Sequence, residues 1–159
     1  MNDNIIAIDN PDASDASTIL QVIAQYVKDL SFENPNAPGN LQQKTEPKVE
    51  VNVDVGAVKV SETAYEVTLT TAVTGYNDDA KLFIAELTYA GVFAFTGIED
   101  TELQPYLLIE CPRLLFPFSR AIIADVTRDG GFPPLLIQPI DFARLYMSSQ
   151  QNPRPDTKE

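Results

Sequence analysis

Cys111-Pro112-Arg113-Leu114-Leu115-Phe116-Pro117-Phe118-Ser119-Arg120-Ala121-Ile122-Ile123-Ala124-Asp125-Val126-Thr127-Arg128-Asp129-Gly130-Gly131 decides how the rest of the chain is arranged. Apolar residues recur at Leu115, Phe118, Ile122 and Val126, which makes one helical stripe. Phe116, Ile123 and the methyl of Thr127 make a second. Two apolar stripes on one helix exceed what a single sheet face covers. The spacing therefore predicts a helix that packs on its own sheet and also on another copy of the chain; a plain core helix is the other reading of the same pattern. Gly130-Gly131 ends the helix, because glycine takes the left-handed conformation that helix C-termini often need. Pro117 opens the main helix or kinks it, since it has no N–H to donate.

Before this stretch, Thr101-Glu102-Leu103-Gln104 reads as a capping box for a short helix that Pro112 ends. Glu99, Asp100 and Glu102 crowd its start. A catalytic carboxylate pair is one reading, and charge complementing the helix dipole is the simpler one. After the stretch, Gly131-Phe132-Pro133-Pro134-Leu135-Leu136-Ile137-Gln138-Pro139 is an extended apolar connector whose prolines keep it from becoming helix. Asp141 caps a last helix, with Ile140 and Leu145 as a hydrophobic staple. Phe142, Leu145 and Tyr146 form its thin apolar edge, and Ala143, Arg144, Ser148 and Ser149 its small or polar face.

The first half of the chain reads as strands. Residues 22–33 alternate Tyr26, Lys28, Leu30 and Phe32 against Val27, Asp29, Ser31 and Glu33. A Pro/Asn-rich loop follows, to Pro47. It is too long for a tight hairpin, so this strand is not expected to pair with the next. Val49, Val51, Val53 and Val55 then alternate with Glu50, Asn52 and Asp54, and Gly56 suggests a bulge. After the turn at Ser61-Glu62-Thr63-Ala64 comes a strand with Tyr65, Val67, Leu69 and Thr71 on one face. Gly75-Tyr76-Asn77-Asp78-Asp79 reads as the next turn. The fourth strand starts near Lys81 and continues past Gly91. The last three strands form a meander, and the long loop lets the first reach the far edge beside the fourth. The expectation is an α+β fold: a four-stranded antiparallel Greek-key sheet with a long helix and a shorter C-terminal helix packed on one face. Residues 1–18, rich in Asp, read as a mobile acidic arm, 19–151 as one domain and 152–159 as a flexible tail.

Composition removes most chemistries. The chain has 159 residues, 44% of them hydrophobic, and a net charge of −12. One domain with a real core follows, and a nucleic-acid backbone would repel it. No histidine is present, which excludes Ser-His-Asp and Cys-His catalysis and histidine–metal sites. The single cysteine, Cys111, has no partner for an internal disulfide and reads as a buried small hydrophobe, in keeping with a reducing compartment. No apolar run approaches the ~18 residues of a membrane span, and the N-terminus lacks the basic residues of a secretory signal. A cytoplasmic protein with no cofactor, no metal and no catalytic constellation is expected, which makes binding its function.

Several segments together resemble SecB, the bacterial protein-export chaperone family. They are Lys28-Asp29-Leu30-Ser31-Phe32-Glu33-Asn34-Pro35-Asn36-Ala37-Pro38, Gly91-Val92-Phe93 with Gly97-Ile98-Glu99, Cys111-Pro112 with Leu115-Phe116-Pro117, and Gly131-Phe132-Pro133 with Pro139 and Phe142. The similarity spans residues 26–147. It implies a homotetramer built as a dimer of dimers, and an ATP-independent holdase that hands unfolded exported precursors to the SecA motor ATPase. On this footing Leu41, Val49, Val51, Val53, Phe142, Leu145 and Tyr146 wall a client groove. Asp29, Glu33, Ile84 and Glu86, which alternation gathers on the outer sheet face, match family positions that dock the basic, zinc-bearing C-terminal segment of SecA. The zinc belongs to that partner. Phe83, Ala85, Leu87 and Tyr89 of the fourth strand face the helix layer and, with Phe118 and Ile122, are expected at the interface between copies. The competing readings are a small-molecule-binding α+β domain with a pocket between sheet and helix, and an enzyme using Glu99 or Cys111.

Overall fold

The strand at the centre of the core is β4 (Ala80–Thr96), whose side chains at Phe83, Ala85, Leu87, Tyr89 and Phe93 are all buried. It lies between β1 (Ile19–Glu33) and β3 (Ala64–Asn77), with β2 (Lys48–Lys59) beyond β3, giving the order β1-β4-β3-β2 with every pair antiparallel. This is the expected Greek-key sheet. The computed structural model describes residues 19–42 and 46–152. The acidic arm before residue 19 and the tail from 153 lie outside the described residues.

The helices run as α1 (Asp100–Pro105), a single π-type turn over Tyr106–Glu110, and α2 (Cys111–Asp129); α3 (Phe142–Gln151) follows the connector. Pro112 does not end the first helix. Dihedrals at Pro105, Tyr106, Glu110 and Cys111 are all right-handed helical, so the chain runs through without a break. The Cys111 N–H donates to the Tyr106 carbonyl, five residues back. Pro112 then offers no N–H at all, so the widened turn sits close to a residue with no donor to misplace. The capping expectation also shifts. Glu99 is the N-cap residue and caps through its carbonyl, which accepts from the Glu102 N–H at 2.9 Å, while Thr101 lies inside the first turn. Pro117 is accommodated within α2.

α2 lies over β4 and β3. Its buried stripe is Leu115, Ser119, Ile123 and Thr127, between the two predicted stripes, because the i, i+4 row best fits a sheet surface. Ile122 and Val126 are half-buried at its margin, and Phe118 is 49% exposed. The two polar members of the buried stripe are partnered. Ser119 Oγ meets Thr71 Oγ1 at 3.3 Å, and Thr127 Oγ1 accepts from the Leu135 N–H at 2.9 Å. The latter bond, with Arg120 Nε donating to the Ile137 carbonyl at 2.9 Å, ties the proline-rich connector along α2. It delivers α3, whose N-cap Asp141 accepts from the Arg144 N–H at 3.0 Å. The crossover loop is pinned by amide donors: Asn34 to the Gly130 carbonyl, Asn36 to Lys81 and Asn40 to Leu82.

Two glycine readings change. β2 pairs through Gly56 without a bulge. Gly75 lies inside β3, and the turn is at Asp78-Asp79, with Asp78 at φ 51°. A Cβ on Gly75 would come within 2.5 Å of the Phe83 ring; its role is to admit that ring rather than to turn the chain.

Phe83, Ala85, Leu87 and Tyr89 face the helix layer as expected. They are buried within the protomer's own core, with Leu87 0% exposed, so a substitution there acts first on the protomer's own fold. Leu87→Ala is expected to lower the unfolding free energy by ~2–5 kcal/mol in a urea titration. Leu87→Asp should unfold the chain rather than release folded dimers, which circular dichroism and light scattering together distinguish.

Candidate functional site

α2 covers the middle of the sheet and leaves both edge strands open on the helix side. At the β2 edge, Val49, Val51, Val53 and Val55 pair with Gly75, Val73, Thr71 and Leu69 and so share the helix-side face. Among the described residues the π-type turn and α3 come up beside them. The result is a groove of about 490 Å³ lined by Val53, Val55, Leu108, Leu145 and Tyr146, with Asp54, Ser148, Ser149 and Asn152 at its polar side.

Of the residues expected to wall a client groove, Val53, Leu145 and Tyr146 line this cavity. Val51 is exposed on the same face, and Val49 lies in the next depression, with Tyr76. Two are elsewhere. Phe142 is buried beneath α3, its ring edge-on to Phe116 at 6.2 Å. Leu41 sits at the end of α2, where a Cβ on Gly131 would meet its Cδ2 at 2.8 Å. Leu108 was missed because Pro112 reads as a helix end. Taken as a missing donor within a continuing helix, Pro112 would have pointed to a widened turn and to Leu108.

The outer sheet face carries a second cluster. Register pairs Glu33 with Ile84, Ser31 with Glu86 and Asp29 with Thr88. Directly opposed residues lie about 5 Å apart at Cβ, so Asp29, Glu33, Ile84 and Glu86 form one patch. Asp29, Glu33 and Glu86 are exposed and Ile84 half-buried. Tyr26 and Lys28 share this face, not that of Leu30 and Phe32 as plain alternation has it. Register shifts at Ile23 and Lys28 break the period of β1. Both residues bond Glu66 of β3: Lys28 Nζ lies 2.6 Å from Glu66 Oε1, and the Tyr26 hydroxyl donates to Oε2. The Lys28 bond, then the Tyr26 bond, holds the Glu66 carboxyl below the usual carboxylate range. The hydrogen bond to Glu66, with burial behind it, pushes the Tyr26 phenol up to about 12.

At the opposite edge from the groove, Val22, Val27 and Leu30 on the helix side of β1, and Leu114 and Phe118 on α2, are exposed. Contiguous apolar surface of this kind marks a contact site. Burial, with a smaller push from Glu110, raises the Cys111 thiol to about 12, which leaves no thiolate near neutrality. Glu99 caps α1 through its backbone carbonyl, and Asp100 and Glu102 follow in the first turn of that helix. Among the described residues no cluster of His, Cys, Asp or Glu could hold a metal ion, and no helix is long and apolar enough to cross a membrane.

Residues 13–153 match the family described as preprotein translocase subunit SecB. The chain is 49% identical over 142 residues to the protein-export protein SecB of Rhodopseudomonas palustris, covering 89% of this chain and 90% of that protein. It is 52% identical over 128 residues to that of Maricaulis maris, covering 80% and 74%. Among solved structures it resembles a SecB-like chaperone of Mycobacterium tuberculosis in complex with an antitoxin peptide, at 21% identity and a TM-score of 0.59, over 76% of this chain and 90% of that one. That likeness supports the fold.

The Tyr26–Glu66 bond has a signature in solution. Stabilisation from a phenol with a raised pKa is fully present below pH 10.0 and fades as pH rises through about 12. Stabilisation from the depressed Glu66 is present above the ordinary carboxylate range and is lost as pH falls through its folded-state value. The absorbance difference at high pH between wild type and Tyr26→Phe should therefore titrate near 12 rather than 10.

Proposed function

This chain belongs to the SecB family, and we propose that it acts as a holdase in protein export. It would bind unfolded precursor proteins, keep them competent for translocation and deliver them to the SecA motor ATPase. The observation that carries the holdase reading is the open valine face of β2 with α3 beside it and no catalytic set near it. Apolar burial yields ~25 cal/mol per Å² and reads no sequence, which suits a site that must accept many chains. The polar side of the groove and the edge of β2 can add main-chain hydrogen bonds to an extended segment. Binding and release of this kind need no ATP and no cofactor, and a holdase for precursors awaiting export would meet them in the cytoplasm.

Delivery to SecA rests on the outer face. Asp29, Glu33 and Glu86 present negative charge around Ile84, complementary to a basic zinc-bearing segment of the partner. Complementary charge speeds encounter and makes it salt-sensitive, while Ile84 supplies a contact that loses its water. Assembly into a dimer of dimers rests on the exposed Val22, Val27, Leu30, Leu114 and Phe118, with Ile122 at the margin of the same helix.

Replacing Val51, Val53 and Leu145 together with serine is expected to weaken calorimetric binding of an unfolded precursor about tenfold or more, with the oligomer intact and ATP without effect. Unchanged affinity would place the groove elsewhere, and equal binding of the folded precursor would sink the holdase reading.

Asp29→Lys with Glu86→Lys should abolish binding to SecA while assembly and unfolded-client binding persist. Normal binding by that variant at low salt would remove the acidic face as the docking surface.

A further inference from the structure

The acidic patch exists only because β1 is irregular. Val27 pairs with Tyr89 and Asp29 with Thr88, so Lys28 is an extra residue in the ladder. One extra residue moves every later side chain to the opposite face. Val27 and Leu30 thus both face the helix layer, and Tyr26 and Asp29 both face outward. In an unbulged β1 that kept the pairing of Tyr26 with Ala90, Asp29, Ser31 and Glu33 would turn toward the helix layer, where carboxylates would have no water and no partner.

The bulge residue and the nearby Tyr26 are held from one point. Lys28 and Tyr26 each take one oxygen of the Glu66 carboxylate, on β3, by reaching across the full width of β4. The crossing is possible because the β4 residue opposite Tyr26 is Ala90. Ala90 has almost no side chain and is 0% exposed, and its outer-face neighbour on β3 is Thr68. Glu66 is itself largely covered, its side chain 16% exposed. A carboxylate that accepts a charge-assisted bond on one oxygen and a phenolic bond on the other has little freedom to move. The same pairing ties down the Lys28 ammonium, which stands next in sequence to Asp29 and would otherwise be available to neutralise it.

We propose that Tyr26, Lys28 and Glu66 are positioning residues for the acidic docking face: together they lock the bulge at residue 28 and so aim Asp29 and Glu33 at the partner. In this role the three act through Asp29 and Glu33 and not by contact with the partner. The inference rests on the docking reading given above for Asp29, Glu33, Ile84 and Glu86.

The test uses the full chain and the zinc-loaded C-terminal segment of SecA as a peptide, with affinity and dissociation rate measured at two salt concentrations. Lys28→Gln with Glu66→Gln leaves net charge unchanged and removes the clamp. It should weaken binding about tenfold, chiefly through faster dissociation. Backbone amides of residues 28–33 should also exchange faster, with assembly and unfolded-client affinity unaltered. Tyr26→Phe, the milder change that keeps the test available if the double variant folds poorly, should weaken binding about threefold. Wild-type affinity in the charge-neutral double variant would overturn the proposal. So would a loss in Glu66→Gln alone that Lys28→Gln restores, since charge and not position would then be the cause. Asp29→Lys with Glu86→Lys serves as control. If that variant binds normally, the docking face fails, and the clamp is judged by exchange at residues 28–33 alone, where unchanged rates would overturn it.

Discussion

A single helix is too narrow for this sheet. An α-helix with its side chains is about 10 Å across, and strands lie about 4.8 Å apart, so one helix covers about two strands of four. α2 sits over β3 and β4, and everything else follows from what it leaves bare. On one side the valine face of β2 stays open except for the π-type turn and α3, and a groove results. On the other, the helix-side residues of β1 stay exposed together with Leu114 and Phe118. One geometric shortfall thus leaves both a groove and an exposed apolar edge.

The groove depends in turn on a local adjustment of the helical rod. The widened turn at Tyr106–Glu110 is paired with Pro112, so the irregular hydrogen bonding falls where the backbone already lacks a donor. It places Leu108 on the groove side, opposite Leu145 and Tyr146 of α3. The connector tied to Thr127 and Arg120 fixes where α3 begins. Irregular helix and extended connector act together, and neither would shape the cavity alone.

The outer sheet face obeys a different physics. The helix-side face is apolar and close-packed, and its alternation is enforced by burial. The outer face is wet, and its alternation in β1 is set by two extra residues and by a polar bridge to Glu66. The same strand therefore offers apolar surface to one side and carboxylates to the other. The bulge at Lys28 is what keeps those two sets from mixing.

Much of this was legible in the residues alone. Alternation in residues 49–55 and 83–89 determined the strands and their buried faces, because a period of two is imposed by the backbone itself. The long Pro/Asn loop determined that β1 pairs with β4 rather than β2, since a loop of that length closes no hairpin. The Lys28–Pro38 segment and the Pro and Gly positions carried the family resemblance. What only the tertiary structure decided were the features set by contacts between distant residues. Gly75 looks like a turn until Phe83 is seen to occupy its space, and Pro112 looks like a helix end until the π-type turn absorbs its missing donor. Leu41 and Phe142 look like neighbours of Val53 and Tyr146 until the fold sets Leu41 at the end of α2 and Phe142 in the core. Tyr26 and Lys28 look inward until the bulge turns them toward Glu66. Local periodicity reports the backbone's own geometry, but a bulge, a widened turn or a steric vacancy is settled by which groups meet in space, whether Phe83 against Gly75 on the next strand or Glu66 against Tyr26 two strands away, and no local pattern encodes those meetings.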